Sequence, residues 1–110
     1  MVTVTVTKTM GGELFEDEML QKVQEICFNY VRNVLKQMKC REVICDAEGC
    51  KYVCNSFDSE TFLRQLNRLK RYLKVNIVKH DEDVYEISVT EGKIGDMLLT
   101  VTLVTIVVTV

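Results

Sequence analysis

The chain has 110 residues, 47% of them hydrophobic and 27% charged, and a formal net charge of −2 at pH 7. This is the length of one domain and the composition of a globular one, which excludes a disordered chain. The near-neutral balance excludes a protein that coats nucleic acid with its whole surface, but not one that carries a local basic patch.

The pattern of residues 2–9 is strict alternation, with Val2, Val4 and Val6 on one side and Thr3, Thr5, Thr7 and Thr9 on the other. Alternating β-branched residues predict a half-buried strand, and Gly11-Gly12 ends it. Residues 13–39 predict a long helix. Phe15, Met19, Val23, Ile26, Cys27, Tyr30, Val34 and Met38 recur at steps of three and four and form an apolar stripe. Acidic residues crowd its start and Lys36 and Lys39 close it, as the helix dipole favours.

Residues 42–55 read as a hairpin around Asp46-Ala47-Glu48-Gly49, with the glycine as a left-handed closing residue. Asp58 then offers an N-cap for a second helix over residues 60–74, whose inner face is Phe62, Leu66, Leu69 and Leu73. Residues 75–78 and 84–89 form a second hairpin around His80-Asp81-Glu82-Asp83. Gly92 and Gly95 bracket a short connection, and residues 98–110 are the last strand. The order β-α-β-β-α-β-β-β predicts a single α+β domain over residues 1–110, with a mainly antiparallel sheet of about six strands and two helices on one face. The order of the strands cannot be read from it.

The second helix carries the one concentration of positive charge. Residues 60–80 hold six Lys or Arg and one Glu, against eight positive and fifteen negative residues in the rest of the chain. Arg64, Arg68 and Arg71 fall opposite the apolar face, with Asn67 and Lys74 beside them. Such a face suits phosphate contacts through the cations and a base contact through Asn67. It equally suits plain solvation of an amphipathic helix. Helix followed by hairpin resembles the winged-helix module over about thirty residues. The match departs at the acidic tip Asp81-Glu82-Asp83, which would repel phosphate, and at the count of helices.

Cys40, Cys45, Cys50 and Cys54 lack the paired short knuckles of zinc ribbons, so no metal site is assigned. The hairpin register instead opposes Cys45 to Cys50. Opposed Cβ atoms lie ~4.5–5.5 Å apart, close to disulfide reach, so a Cys45–Cys50 disulfide or a pair of packed thiols is expected. Cys27 is expected to be an inert core thiol. His80 is the only histidine, and no base or third group accompanies any cysteine, so no catalytic residue is assigned. The carboxylates of the His80–Asp83 turn could hold a divalent cation, but they point in different directions, and a solvated turn is the simpler reading.

The two terminal strands are long, Val/Thr-rich and unguarded by charge. Unguarded edges are normally covered, so they are expected to pair with each other or with a second copy in a homodimer. The longest apolar run, residues 97–110, is shorter than the ~20 residues of a spanning helix, and no basic start precedes an apolar segment. A cytoplasmic protein with no membrane partner and no cofactor is expected. Five cysteines then point to reduced thiols, except in hyperthermophiles.

Short length, no proline, many Val, Lys and Glu, and cysteines placed for a disulfide resemble small proteins of viruses that infect hyperthermophilic archaea. The resemblance implies a protein without assigned activity, with dimers and DNA binders among its kind, and it assigns a role to no residue. The leading expectation is a homodimeric interaction protein that contacts nucleic acid through Arg64, Asn67, Arg68, Arg71 and Lys74. The alternative is a protein-binding module, an inhibitor or adaptor of a host complex.

Overall fold

The computed structural model describes residues 1–10, 18–81, 83–90, 93–94, 97–98 and 102–110. Its elements are β1 (Val2–Met10), α1 (Glu18–Gln37), β2 (Arg41–Cys45), β3 (Gly49–Cys54), α2 (Ser59–Asn67), β4 (Val75–His80), β5 (Val84–Thr90), β6 (Lys93–Ile94), β7 (Met97–Leu98) and β8 (Thr102–Thr109). Residues Arg68–Arg71 continue α2 as a 3-10 turn. Six strands form one antiparallel sheet in the order β2-β3-β1-β8-β5-β4, and β6 and β7 pair separately. The predicted α+β class with a six-stranded antiparallel sheet is therefore what the chain adopts.

The core lies on one face of the sheet. Val4 and Val6 of β1, Tyr52 of β3, Tyr85 and Ile87 of β5 and Val108 of β8 are all fully buried there. Both helices cover this face and join it through Cys27, Val31 and Leu35 of α1 and Phe62 and Leu66 of α2. The opposite side of β1 carries Thr3, Thr5 and Thr7, so the period-2 pattern sorts the residues of β1 by face as alternation requires.

The terminal strands occupy the middle of the sheet. β1 bonds β8 from Thr5↔Thr109 to Met10↔Val104, and its other side bonds β3. β8 bonds β5 on its far side. They pair with each other, and each also bonds a second neighbour within the chain, with Val2–Val4 of β1 lying beyond the β8 ladder. The expected homodimer through these strands would therefore have to form on strands whose backbone edges are mostly taken up within the chain. The sheet's edges are β2 and β4. The pairing of β8 with β5 slips between Val89 and Thr90, where Val89 opposes Val104 and Thr90 opposes Thr102.

Helix α1 is rotated from its predicted stripe. Gln24, Cys27, Phe28, Val31, Val34 and Leu35 are buried, whereas Ile26 is 54% exposed. The expected start of this helix at residues 13–17 lies outside the described residues, as do Gly11-Gly12, Gly92 and Gly95. Its C-terminus closes through two backbone bonds, Cys40 N–H to the Leu35 carbonyl and Lys39 N–H to the Lys36 carbonyl, both 3.0 Å. Lys39 sits at φ 63°. This is the Schellman arrangement, in which the left-handed position favours glycine. Lys39→Gly relieves the Cβ crowding of that conformation and is expected to raise stability by about 0.5–1 kcal/mol in a denaturant titration. A loss of stability would count against this account of the helix end.

Gly49 begins β3 for a reason other than the one expected. It opposes Thr7 of β1, and a Cβ there would overlap the Val6 carbonyl oxygen. Close approach of two backbones, not a left-handed φ, requires the glycine. The turn itself is held by the Asp46 carboxylate, which accepts from Glu48 N–H (2.8 Å) and Gly49 N–H (3.0 Å). The structure joins Cys45 to Cys50, as the hairpin register predicts, and also Cys40 to Cys54, a pairing that nothing local in the sequence indicates. Four of the five cysteines are thus paired, and Cys27 alone is free and buried. Burial pushes its thiol up to about 12, so it is neither nucleophile nor ligand at neutral pH.

Candidate nucleic-acid interface

Helix α2 starts where Asp58 caps it. Its carboxylate accepts from the N–H groups of Glu60 (3.1 Å) and Thr61 (3.4 Å) and from the Thr61 hydroxyl (2.8 Å). The Thr61 hydroxyl bond leads the causes that hold the Asp58 carboxyl below the usual carboxylate range. Phe62, Leu66 and Leu69 then fix the helix to the core, each no more than 1% exposed. That anchoring turns Arg64, Asn67, Arg68, Arg71 and Lys74 outward, and all five are exposed.

The predicted helix over residues 60–74 is α-helical only to Asn67. The 3-10 turn that follows has three residues per turn, so side chains three apart eclipse one another. Arg68 and Arg71 are such a pair, and both open onto one groove of about 310 Å³ between α1 and α2. Asn33 and Gln37 supply amides from the α1 side, and Tyr72 closes the α2 side. Tyr72 is 75% exposed, so its ring is open to solvent at the groove. The two helices are tied beneath the groove by the Tyr30 hydroxyl, which donates to the Gln65 carbonyl at 2.6 Å.

Neither Arg68 nor Arg71 has a carboxylate ion-pair partner among the described residues. The other three residues singled out in the sequence do not line the groove. Arg64 donates to Thr61 Oγ1 at 3.2 Å. Asn67 is exposed outside the groove, and Lys74 lies beyond the turn, before β4. Tyr72, Asn33 and Gln37 carry no local signal in the sequence that marks them as groove residues. Tyr30, expected in the core stripe of α1, is half-buried, packs against the core and also lines the groove.

The hairpin after α2 is no wing. β5 lies inside the sheet between β8 and β4, so the hairpin cannot swing onto a nucleic-acid backbone. At its tip His80 Nε2 lies 3.4 Å from Glu86 Oε2, and Glu82 lies outside the described residues. Among the described residues, His80, Asp81 and Asp83 do not come together as a ligand set.

A second polar group sits where α1 meets the β2–β3 hairpin. Arg32 donates to Glu42 Oε1 through Nη2 (2.8 Å) and Nε (3.1 Å), and the Tyr52 hydroxyl donates to the same oxygen (2.8 Å). Desolvation, then the bond to Glu42, pushes the Tyr52 phenol up to about 12. Its value in the unfolded chain is near 10, so its contribution to stability is complete below pH 10 and is lost as pH rises toward 12. An absorbance titration of phenolate is expected to show a tyrosine ionising well above the ordinary range, and Tyr52→Phe removes that component. If the native chain ionises all its tyrosines together near 10, the burial of this hydroxyl is wrong.

Among the described residues no helix is long and apolar enough to cross a membrane. No family model, no curated protein and no solved structure matches the chain, so any functional reading rests on its own geometry.

Proposed function

We propose that the chain binds single-stranded nucleic acid in the groove between α1 and α2. The observation that carries this reading is the convergence of Arg68, Arg71 and the exposed ring of Tyr72 on one groove. Two guanidiniums with no carboxylate ion-pair partner among the described residues suit successive phosphates. An exposed tyrosine beside them is a platform on which an unpaired base stacks, worth ~1–3 kcal/mol per base. Asn33 and Gln37 offer donors and acceptors to base edges. A duplex keeps its bases stacked on one another and gives Tyr72 nothing to stack on.

The test is fluorescence anisotropy with a labelled single strand and the matching duplex, at two salt concentrations. The single strand binds more tightly, and Tyr72→Ala weakens it by roughly tenfold or more. Arg68→Ala with Arg71→Ala flattens the dependence of log affinity on log salt by roughly 1.4. Arg64→Ala, which lies off the groove, changes little. Unchanged single-strand binding in the Arg68/Arg71 double variant sinks the proposal.

A second reading has its own observation. β2 is an edge strand, and Val43 and Ile44 on it are 52% and 60% exposed. An apolar edge can take up a strand from a partner protein or from a second copy of this chain. A homodimer would use this edge and not the terminal strands. Native mass settles the dimer, and Val43→Lys with Ile44→Lys would dissolve it.

A further inference from the structure

We propose that the β2–β3 hairpin holds a redox-gated site for a thiophilic divalent cation such as Zn²⁺, with Cys45, Cys50 and Glu42 as its ligands once the Cys45–Cys50 disulfide is reduced. This inference is independent of the groove between the helices.

The site begins with an irregularity in the sheet. In a regular strand residues three apart point to opposite faces. Glu42 and Cys45 are three apart. Yet Glu42 opposes Tyr52 and Cys45 opposes Cys50, because the register slips between Glu42 and Ile44. Tyr52 and Cys50 are two apart on β3 and share a face, so the bulge at Val43 brings Glu42 round to the side of the sulfurs. Re-aiming a side chain in this way is a common role of bulges. As a result a Glu42 carboxylate oxygen and the Sγ atoms of Cys45 and Cys50 all lie within 4.8 Å of one another. It is the only such group of three among the described residues.

The carboxylate is also prepared. All three of its hydrogen bonds, two from Arg32 and one from Tyr52, fall on Oε1. Oε2 accepts none among the described residues, so its lone pairs are open. Ligating carboxylates are themselves held by hydrogen-bond partners.

Exposure decides which disulfide opens. Cys45 is exposed, whereas Cys40, Cys54 and Cys50 are 6%, 1% and 2% exposed. A small dithiol reductant reaches Cys45 Sγ first. Its thiolate attacks that sulfur, the Cys45–Cys50 bond breaks, and Cys50 leaves as a thiolate. The reductant's second thiol then releases Cys45 and becomes the cyclic disulfide. Two electrons have passed to the protein, and the reductant's two protons are available to its two sulfurs. Zn²⁺ takes the place of those protons, with bonds of about 2.3 Å to sulfur and about 2.0–2.2 Å to oxygen. The Cα atoms of Cys45 and Cys50 stand 4.0 Å apart, so the two thiolates stay close enough to share one ion. Three protein ligands leave a fourth, open position.

Cobalt(II) is the probe, because thiolate ligation gives it a charge-transfer absorption. Chain treated with limiting dithiol until two thiols react with a thiol reagent is expected to bind one Co²⁺ with that absorption, and Zn²⁺ displaces it. Peptide mapping of the alkylated thiols then identifies Cys45 and Cys50. The oxidised chain and Cys45→Ser show no such band. Glu42→Gln keeps the thiols but weakens Zn²⁺ at least about tenfold in competition with a chelator. Glu42→Asp, which keeps the charge but shortens the reach, is a second variant should Gln disturb the fold, and it too weakens Zn²⁺. The proposal is overturned if Cys40 and Cys54 are the residues alkylated. It is equally overturned if the released thiols bind no Co²⁺, or if both Glu42 variants bind Zn²⁺ as the native chain does.

Discussion

Phe62→Ala is expected to cost about 3–5 kcal/mol, read as a lower denaturant midpoint with unchanged slope. Phe62 is fully buried, and its ring sits 5.1 Å from Phe57 and 5.1 Å, edge-on, from Tyr85. The cost is transfer of the ring plus the cavity it leaves, and it depends on whether neighbours can collapse. Tyr85 is poorly able to do so. It lies in β5 between β4 and β8, and its hydroxyl is hydrogen-bonded to Ser59 at the start of α2. Lys79 donates to the same Ser59 hydroxyl at 3.2 Å and lies over the Tyr85 ring. The space therefore stays open, and the loss should fall in the upper part of the range. Phe62→Leu, which keeps most of the volume, should cost under about 1.5 kcal/mol. If Phe62→Ala loses no more than Phe62→Leu, the aromatic cluster is not what fixes α2. Because the same helix carries Arg68 and Arg71, Phe62→Ala should also weaken single-strand binding, whereas Phe62→Leu should not.

The residues that give their own answer locally are the ones that could be read from the sequence. Val2, Val4 and Val6 alternate with threonine, and alternation alone sorts them by face. Asp58 caps because it precedes Ser59 and Glu60, whatever the rest of the chain does. Cys45 opposes Cys50 because a short turn sets the register. What could not be read depends on distant elements. Alternation says which face a residue occupies but not which strand lies beside it, so nothing local puts β1 and β8 at the centre of the sheet. α1 has apolar residues on more than one side, including Ile26, Cys27, Phe28, Tyr30 and Val31, and several stripes fit the same spacing. Packing on the sheet selects the one through Phe28 and Val31 and leaves Ile26 outside. Arg68 and Arg71 stand out as charges in the sequence, but Asn33, Gln37 and Tyr72 become partners only when α1 and α2 lie side by side. Glu42 looks like an ordinary strand residue until the bulge turns it toward the sulfurs.

Removing the Cys40–Cys54 disulfide as Cys40→Ala with Cys54→Ala is expected to cost about 3 kcal/mol, measured by denaturant unfolding of the otherwise oxidised chain. The bridge closes a loop of 14 residues, and loop-closure entropy in the unfolded chain accounts for that magnitude. Geometry favours its formation. The turn at Lys39 sends the chain back over the sheet, Cys40 N–H bonds Leu35, and both residues are buried. Cys40 therefore arrives at the end of β3 already ordered, with its Cα 4.3 Å from that of Cys54. The second bridge closes only 5 residues, for which the same relation gives about 2 kcal/mol. The two bridges thus divide their work. The buried one clamps the end of α1 to β3, and the Arg32–Glu42 pair of 2.8 Å reinforces the same junction. That clamp is what allows the exposed bridge to open while Glu42 keeps its place beside the two sulfurs. Opening of Cys45–Cys50 in the Cys40/Cys54 double variant should accordingly loosen the hairpin and weaken Co²⁺ binding, whereas in the native chain it leaves the fold intact. Equal stability of the double variant and the native chain would place the restraint elsewhere, in the β1–β3 ladder that already runs from Val2↔Cys54 to Thr7↔Gly49.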